Sequence, residues 1–326
     1  MKKSALFLSA TAGVAMAVSA SVATAEKWDM PMAYAATNFH SEMGVVFADK
    51  VREYTGGDID ITVHAGGSLF KGGEIKRAIQ TGQAPIGERF MSAHANEAPL
   101  LGWDNLPFVA TSYEDNDRLW AAAKDLVNAQ LSDLNLVALY TCPWPGQGFY
   151  FKKEVTSSAD TQGIKFRSYN SATATFAEEL GMTPVQIEAA ELSQALATGV
   201  AESFISSGST GYDRKVWEHL THYYKVNAWL PRNYVMVNKG AWEGLADDHQ
   251  AALQQAADET GAACSAKSAE LASWYFEQLA ANGMSVEDAG PEFLAELQAI
   301  GAKMTADWLA TVGADGQAIL DAYNAN

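Results

Sequence analysis

Strand-like and helix-like segments alternate along this chain in two rounds, and a short stretch dense in proline and glycine separates the rounds. The first round opens with an extended segment, Lys27-Trp28-Asp29-Met30-Pro31-Met32-Ala33-Tyr34. A helix follows, with an apolar face of Val45, Val46, Ala48, Val51 and Tyr54 and a stop at Gly56-Gly57. Residues 58–63 alternate with period two, which predicts a strand, and 73–81 predicts a helix ended by Gly82. Leu106-Pro107-Phe108 punctuates the chain before a helix containing Leu119, Trp120 and Ala123. Residues 136–140 are apolar on both faces, the pattern of a central parallel strand. The breaker-rich run Pro143-Trp144-Pro145-Gly146-Gln147-Gly148 reads as a crossing between lobes. In the second round, 163–167, 184–187 and 200–205 read as strands, and 171–180 and 191–198 as helices. Residues 233–238 form a strand leading back. The proline-free segment 245–281 predicts a helix of about 50 Å, with Gly261 as a candidate bend. A last helix is expected over 291–312. Such alternation specifies an α/β fold with a largely parallel sheet. At 326 residues the chain exceeds what one core usually serves, so two lobes are expected.

The first residues set the compartment. Lys2 and Lys3 precede a short apolar run over 5–18 and small residues ending Ala23-Thr24-Ala25, the pattern of a secretory signal cleaved after Ala25. The apolar run is too short for a membrane span, and no later stretch supplies one. Hydrophobic residues at 48% and charged residues at 19% fit a folded globular chain. The 39 Asp and Glu against 22 Lys and Arg give a formal charge of −17, and loss of residues 1–25 would remove lysines and no acids. This acidity excludes nucleic acid and anionic lipid as partners.

Catalytic and metal patterns are weak. Ser206-Ser207-Gly208-Ser209-Thr210-Gly211 lacks a base at nucleophile spacing and reads as a small-residue loop at a strand end. His219 and His222 could lie one helical turn apart, but no third ligand completes a metal site. The glycine-rich run 66–73 lacks the residues of a phosphate loop and reads as a tight strand-to-helix turn. Cys142 and Cys264 could pair in an oxidising compartment, but their flanks favour two small buried hydrophobes. No catalytic residue, metal or cofactor is expected. Arg167 is the sharp candidate. It ends a strand just before a helix, and ligands of open α/β sheets sit beyond such strand ends. A guanidinium there can clamp a carboxylate through two charge-assisted bonds, or pair with a neighbouring acid.

Several of these segments together resemble the DctP-like periplasmic solute receptors of TRAP transporters. They are Gly66-Gly67-Ser68-Leu69 with Glu74, Ala78, Ile79, Thr81 and Gly82; Leu106-Pro107-Phe108; Asp160-Thr161-Gln162-Gly163-Ile164-Lys165-Phe166-Arg167; Gln194-Ala195-Leu196-Ala197-Thr198-Gly199; and Asn238-Lys239 with Trp242 and Leu245. The resemblance runs over essentially the whole chain after the signal. It implies a two-lobed periplasmic-binding-protein fold of type II kind, with the long helix spanning both lobes. The expected partition is 26–146 and 233–272 for the first lobe, and 147–232 and 273–326 for the second. It further implies Arg167 as the partner of a substrate carboxylate, closure of the lobes around the ligand, separate small and large membrane subunits as partners, and no enzymatic activity. Two departures bear on the ligand. Val200-Ala201-Glu202-Ser203-Phe204-Ile205-Ser206 stands where many members read V-D-G-x-E, and the second arginine of sialic-acid-type members is missing around Gln147-Gly148-Phe149.

The expected pocket comprises Asn38, Phe39 and His40 after the first strand and Arg89, Phe90 and Met91 after the third. Trp144 and Phe149 come from the crossing. Arg167, Asn170, Phe204 and Ser206 come from the second lobe, with Asn233 and Tyr234 on the returning strand. Aromatic walls around one arginine suit a small organic acid, a monocarboxylate with an apolar or aromatic body. The same architecture could serve an ABC importer or a sensory ligand-binding protein.

Overall fold

The computed structural model describes residues 25–325, so the expected signal segment lies outside the described residues apart from Ala25. The first round of alternation becomes β1 (Glu26–Pro31), α1 (Phe39–Tyr54), β2 (Ile59–His64), α2 (Gly72–Gln80) and β3 (Ile86–Phe90). Asn38 caps α1, its side chain accepting from the His40 amide at 2.9 Å. Two 3₁₀ turns, Met91–His94 and Pro99–Asn105, lead to α3 (Tyr113–Asp133) and β4 (Leu136–Pro143). The second round gives β5 (Gly148–Phe151), β6 (Lys165–Ser168), α4 (Ser171–Glu179), β7 (Thr183–Gln186), α5 (Leu192–Ala197), β8 (Ser203–Ser206), α6 (Gly208–Asp213) and β9 (His222–Lys225). The chain returns through β10 (Arg232–Asn238) and α7 (Lys239–Glu243). It finishes with α8 (Asp247–Ala281), β11 (Ser285–Asp288), α9 (Pro291–Val312) and α10 (Ala314–Ala325).

The strands form two separate groups, one per lobe. In the first lobe β1 pairs with β2 in parallel, beside a sheet ordered β3-β10-β4. In the second lobe six strands run in the order β11-β9-β5-β8-β6-β7. The sheets are mixed rather than largely parallel: β10 is antiparallel to both its neighbours, and β5 is antiparallel to β8 and β9. The cause is β10, which comes back from the second lobe and inserts between strands of the first. β4, expected as a central parallel strand, is therefore an antiparallel edge strand. It is apolar on both faces because two cores flank it: Leu136 packs with Leu119, Ala123 and Val127 of α3, while Leu139 and Tyr140 pack with Leu253, Ala256 and Ala257 of α8.

The crossings between the lobes run side by side and are stitched by backbone bonds. Trp144 N donates to Pro231 O at 2.8 Å, Gln147 N to Trp229 O at 3.0 Å, and Ala228 N to Gln147 O at 3.0 Å. α8 touches α1 and β4 in the first lobe and α6 and β11 in the second, as the expected spanning helix does. Gly261 lies inside this uninterrupted helix; a Cβ there would sit 3.1 Å from Tyr140 Cβ, so the glycine serves the close approach of β4.

Three further expectations are corrected. Cys142 and Cys264 are disulfide-bonded, with Cα atoms 5.7 Å apart, joining the end of β4 to the middle of α8. Their separation of 122 residues hides the pairing from any spacing argument, since only the packing of β4 on α8 brings them together. His219 and His222 do not share a helix face, because His222 opens β9. The chain end, expected with the second lobe as part of 273–326, packs α10 on α3, burying Ile319, Leu320 and Tyr323 in the first lobe's core. No helix among the described residues is long and apolar enough to cross a membrane.

Candidate functional site

The carboxyl ends of β3, β6 and β8 meet the paired crossings at one place between the lobes. There a small cavity opens partly to solvent. The first lobe contributes Tyr34, Arg89 and Phe90 to its wall, and the crossings contribute Trp144, Gln147 and Pro231. The second lobe contributes Arg167, Tyr169, Glu188, Ser206 and Thr210.

Arg167 sits on β6 with only 3% of its surface exposed. Its Nε–H donates to Ile187 O at 2.8 Å, and its guanidinium lies 5.2 Å from the Tyr169 ring. Among the described residues no carboxylate forms an ion pair with it. Burial pushes its pKa down to about 10, partly offset by Tyr169, Glu188 and Tyr34 nearby, so it remains cationic at neutral pH. Arg89, on β3, is equally buried but engaged. Its Nη2 donates to Glu188 Oε1 at 3.1 Å, its Nη1 to Glu188 Oε2 at 3.5 Å, and its Nε to His94 Nε2 at 3.3 Å. Because His94 Nε2 accepts that bond, its Nδ1 carries the proton facing Glu97 Oε1 at 3.1 Å. Burial first, then Arg89, pushes the His94 pKa down to about 4.

The aromatic wall is held from behind. Trp144 Nε1 donates to Asn233 Oδ1 at 2.9 Å, and the Trp144 ring packs at a tilt, 4.1 Å between centroids, on His40, which pairs with Glu88 at 2.9 Å. Tyr169 accepts from Trp229 Nε1 at 3.0 Å and donates to Gln147 Oε1 at 3.3 Å. Burial raises the phenol pKa of both Tyr34 and Tyr169, so both stay neutral donors.

Of the residues expected in the pocket, Arg89, Phe90, Trp144, Arg167 and Ser206 line the cavity. The others stand elsewhere. Asn38 bridges the lobes, donating to Asp213 Oδ2 at 2.7 Å, and Asn170 does so by donating to Asn105 Oδ1 at 2.7 Å. His40 and Asn233 back Trp144, while Phe39 packs with Cys142 and Cys264 behind it. Phe149, Phe204, Met91 and Tyr234 are core residues: strand alternation turns Phe149 and Phe204 into the second lobe's packing and Tyr234 into the first lobe's, where Met91 packs from the 3₁₀ turn after β3. Sequence reasoning missed Tyr34, Gln147, Tyr169, Glu188 and Thr210. Glu188 follows the end of β7, the strand beside β6, so the strand-end rule that singled out Arg167 also reaches it. The one grouping of potential metal ligands among the described residues, His40 with Cys142 and Cys264, has both sulfurs joined in the disulfide.

A buried cation facing an interlobe space, with hydroxyls and an amide beside it, can hold a small anion; among the described residues of its wall there is no activated nucleophile. Comparison with known proteins agrees. Residues 32–311 match the model of the DctP family, bacterial extracellular solute-binding protein family 7. The fold superposes with a TM-score of 0.92 on a TRAP solute-binding protein from a marine metagenome. That protein is 85% identical over 93% of this chain and 99% of its own, and is described as specific for pyroglutamate and bound to co-purified pyroglutamate. Bordetella pertussis DctP6, an extracytoplasmic solute receptor binding pyroglutamic acid, is 42% identical over 92% of this chain and all of its own, with a TM-score of 0.91. The C4-dicarboxylate-binding periplasmic protein DctP of Rhodobacter capsulatus is 27% identical over 66% of this chain, and the match spans 65% of that relative's length. The chain belongs to the DctP family of bacterial extracellular solute-binding proteins, and is a solute receptor of the TRAP kind rather than an enzyme.

Proposed function

We propose that this receptor works in the periplasm, captures pyroglutamate there, and delivers it to the small and large membrane subunits of a TRAP transporter. Pyroglutamate carries one carboxylate on a compact five-membered lactam. The observation that carries this reading is Arg167, a buried guanidinium facing the cavity with no ion-pair partner among the described residues. A ligand carboxylate completes it. The lactam N–H and C=O then require one acceptor and one donor, and Gln147, Ser206, Thr210 and the Tyr34 hydroxyl stand on the cavity wall. Trp144 and Phe90 offer the ring its apolar flanks. The two relatives bound to this ligand, at 85% and 42% identity, support the choice of a small lactam over the broader aromatic acids the sequence allowed.

The proposed cycle is hinge closure. Carboxylate binding to Arg167 on the second lobe favours the form in which the first lobe covers the ligand, and the membrane subunits recognise that form. Titration calorimetry of the signal-free chain tests the assignment. Pyroglutamate is expected to bind at micromolar affinity or tighter, with glucuronate and phenylpyruvate much weaker. Binding of either of those two with no response to pyroglutamate would overturn it.

A further inference from the structure

We infer that Glu188 is a resident second carboxylate that confines the cavity to ligands bearing one carboxylate of their own. This rests on the reading of Arg167 as the partner of the ligand carboxylate. Two buried guanidinia border the cavity, which on its own is the equipment for a dicarboxylate. One of them is occupied by the protein. Both terminal nitrogens of Arg89 engage the two oxygens of Glu188, at 3.1 and 3.5 Å, in the fork geometry a ligand carboxylate would adopt. Its third nitrogen is held by His94. Arg167 has only its Nε engaged, by a backbone carbonyl.

The same short stretch sets both states. The carbonyl of Ile187 orients Arg167, and the next residue's side chain fills Arg89. Room for that carboxylate is reserved at the start of α2, where a Cβ on Gly72 would meet Glu188 Oε2 at 2.9 Å and Arg89 Nη1 at 3.1 Å. The charges agree. With Arg89, Arg167 and Glu188 on the wall, the cavity carries one net positive charge, which a monoanion neutralises. A dianion would leave an excess negative charge in the cleft, or would have to compete with Glu188 for Arg89. Glu188 is on the second lobe and Arg89 on the first, so the pair also completes itself only as the lobes meet.

Calorimetry with pyroglutamate, succinate, glutarate and adipate on the signal-free chain separates the possibilities. The native protein is expected to bind each dicarboxylate roughly 100-fold or more weakly than pyroglutamate. Glu188→Ala empties Arg89 and is expected to strengthen at least one dicarboxylate by roughly tenfold or more. Adding Arg89→Ala to it should abolish that gain. Glu188→Gln removes the charge but keeps the volume, and a smaller gain of the same sign is expected. Glu188 is more than a third exposed on a loop, so a cooperative melt is expected for both variants and confirms that each is folded. No dicarboxylate gain in either folded variant, or a gain that survives loss of Arg89, overturns the inference. Failure of the underlying site reading looks different: Arg167→Ala would then leave the native affinity for pyroglutamate unchanged, whatever Glu188 does.

Discussion

The two sides of the cleft meet the same cavity with opposite degrees of completion. On the first lobe the charged group of the wall is already engaged by the protein, Arg89 leaning on Glu188 and His94, and at the crossing Trp144 leans on Asn233 and on His40, which pairs with Glu88. Behind them the Cys142–Cys264 disulfide ties β4 to α8. On the second lobe Arg167 has one backbone acceptor and an open face. A third buried arginine sharpens the contrast. Arg232, where β10 leaves the crossing, is satisfied by Asn116 at 2.8 Å, Thr141 at 3.1 Å and Asp117, and its amide donates to Asp104. Burying a cation is costly unless it is paired. Arg232 and Arg89 meet that cost within the chain, whereas Arg167 leaves it to be met by a ligand. One wall is a template and the other a receptor.

The largest effect should fall on that open side. Arg167→Ala is expected to weaken pyroglutamate by about 3–5 kcal/mol, roughly 100- to several-thousand-fold, with little change in melting temperature of the ligand-free chain. Arg89→Ala should cost binding less and stability more, because it takes from His94 its partner within the first lobe. Calorimetry and thermal melts on both variants measure this, and a reversed order would break the contrast.

Next in size is the support of the template. Replacing both cysteines, Cys142→Ala with Cys264→Ala, is expected to lower unfolding free energy by about 2–5 kcal/mol, since the bridge closes a loop of 122 residues. Denaturant melts measure the loss. If the template reading is right, affinity for pyroglutamate should fall as well, because Phe39 and Trp144 pack against the bridge. Unchanged affinity at reduced stability would separate the wall from its backing.

A pH profile probes Arg89 in particular. His94 is neutral in the fold, its pKa pushed from 6.5 to about 4 by burial and by Arg89, with Lys76 opposing and Glu97 supporting protonation. The unfolded chain therefore takes up a proton first as the solution acidifies. Stability should fall from pH 6.5 down to about 4 and level off below, a loss of up to about 3 kcal/mol. His94→Gln should flatten that interval in melts followed across pH. The same slope in both proteins would place the titration elsewhere.

Much of this was legible in the residues. Period-two and helical patterning located the long helices and most strands, though not β9, β11, α6, α7 or α10, and Arg167 stood out because a strand end carries it toward a helix start. What stayed hidden has a common origin in contacts between distant segments. Two-sided apolarity correctly marked β4 as sandwiched, but apolar faces carry no strand direction, and the antiparallel insertion of β10 depends on a chain that has left for the second lobe and returned. Asn38, expected as a ligand contact after the first strand, and Asn170, expected as one from the second lobe, reach across to Asp213 and Asn105 instead, a pairing only the closed arrangement of the lobes creates. Glu188 lies just past the end of β7 and carries no sequence signal of its own. Its meaning appears only once Arg89, 99 positions earlier, lies beside it.

The smallest expected effect tests whether that meeting belongs to the ligand-bound form. Gly72 opens α2 and has no unusual backbone angle, so alanine there is conformationally acceptable and favours the helix by up to about 1 kcal/mol. Its Cβ would nevertheless press on Glu188 Oε2, on Arg89 Nη1 and, at 3.3 Å, on Ala33 Cβ. The first two are ends of flexible side chains that can give way, so the cost is a loosened pair rather than a damaged fold. Gly72→Ala should therefore melt at the same temperature or slightly higher while binding pyroglutamate about two- to fivefold more weakly, less than 1 kcal/mol. Stability and affinity moving in opposite directions is the signature of a contact made only on closure. An affinity loss accompanied by a lower melting temperature would instead mean that Gly72 serves the first lobe's own packing, and that the pair of Arg89 with Glu188 tolerates displacement without consequence for the cleft.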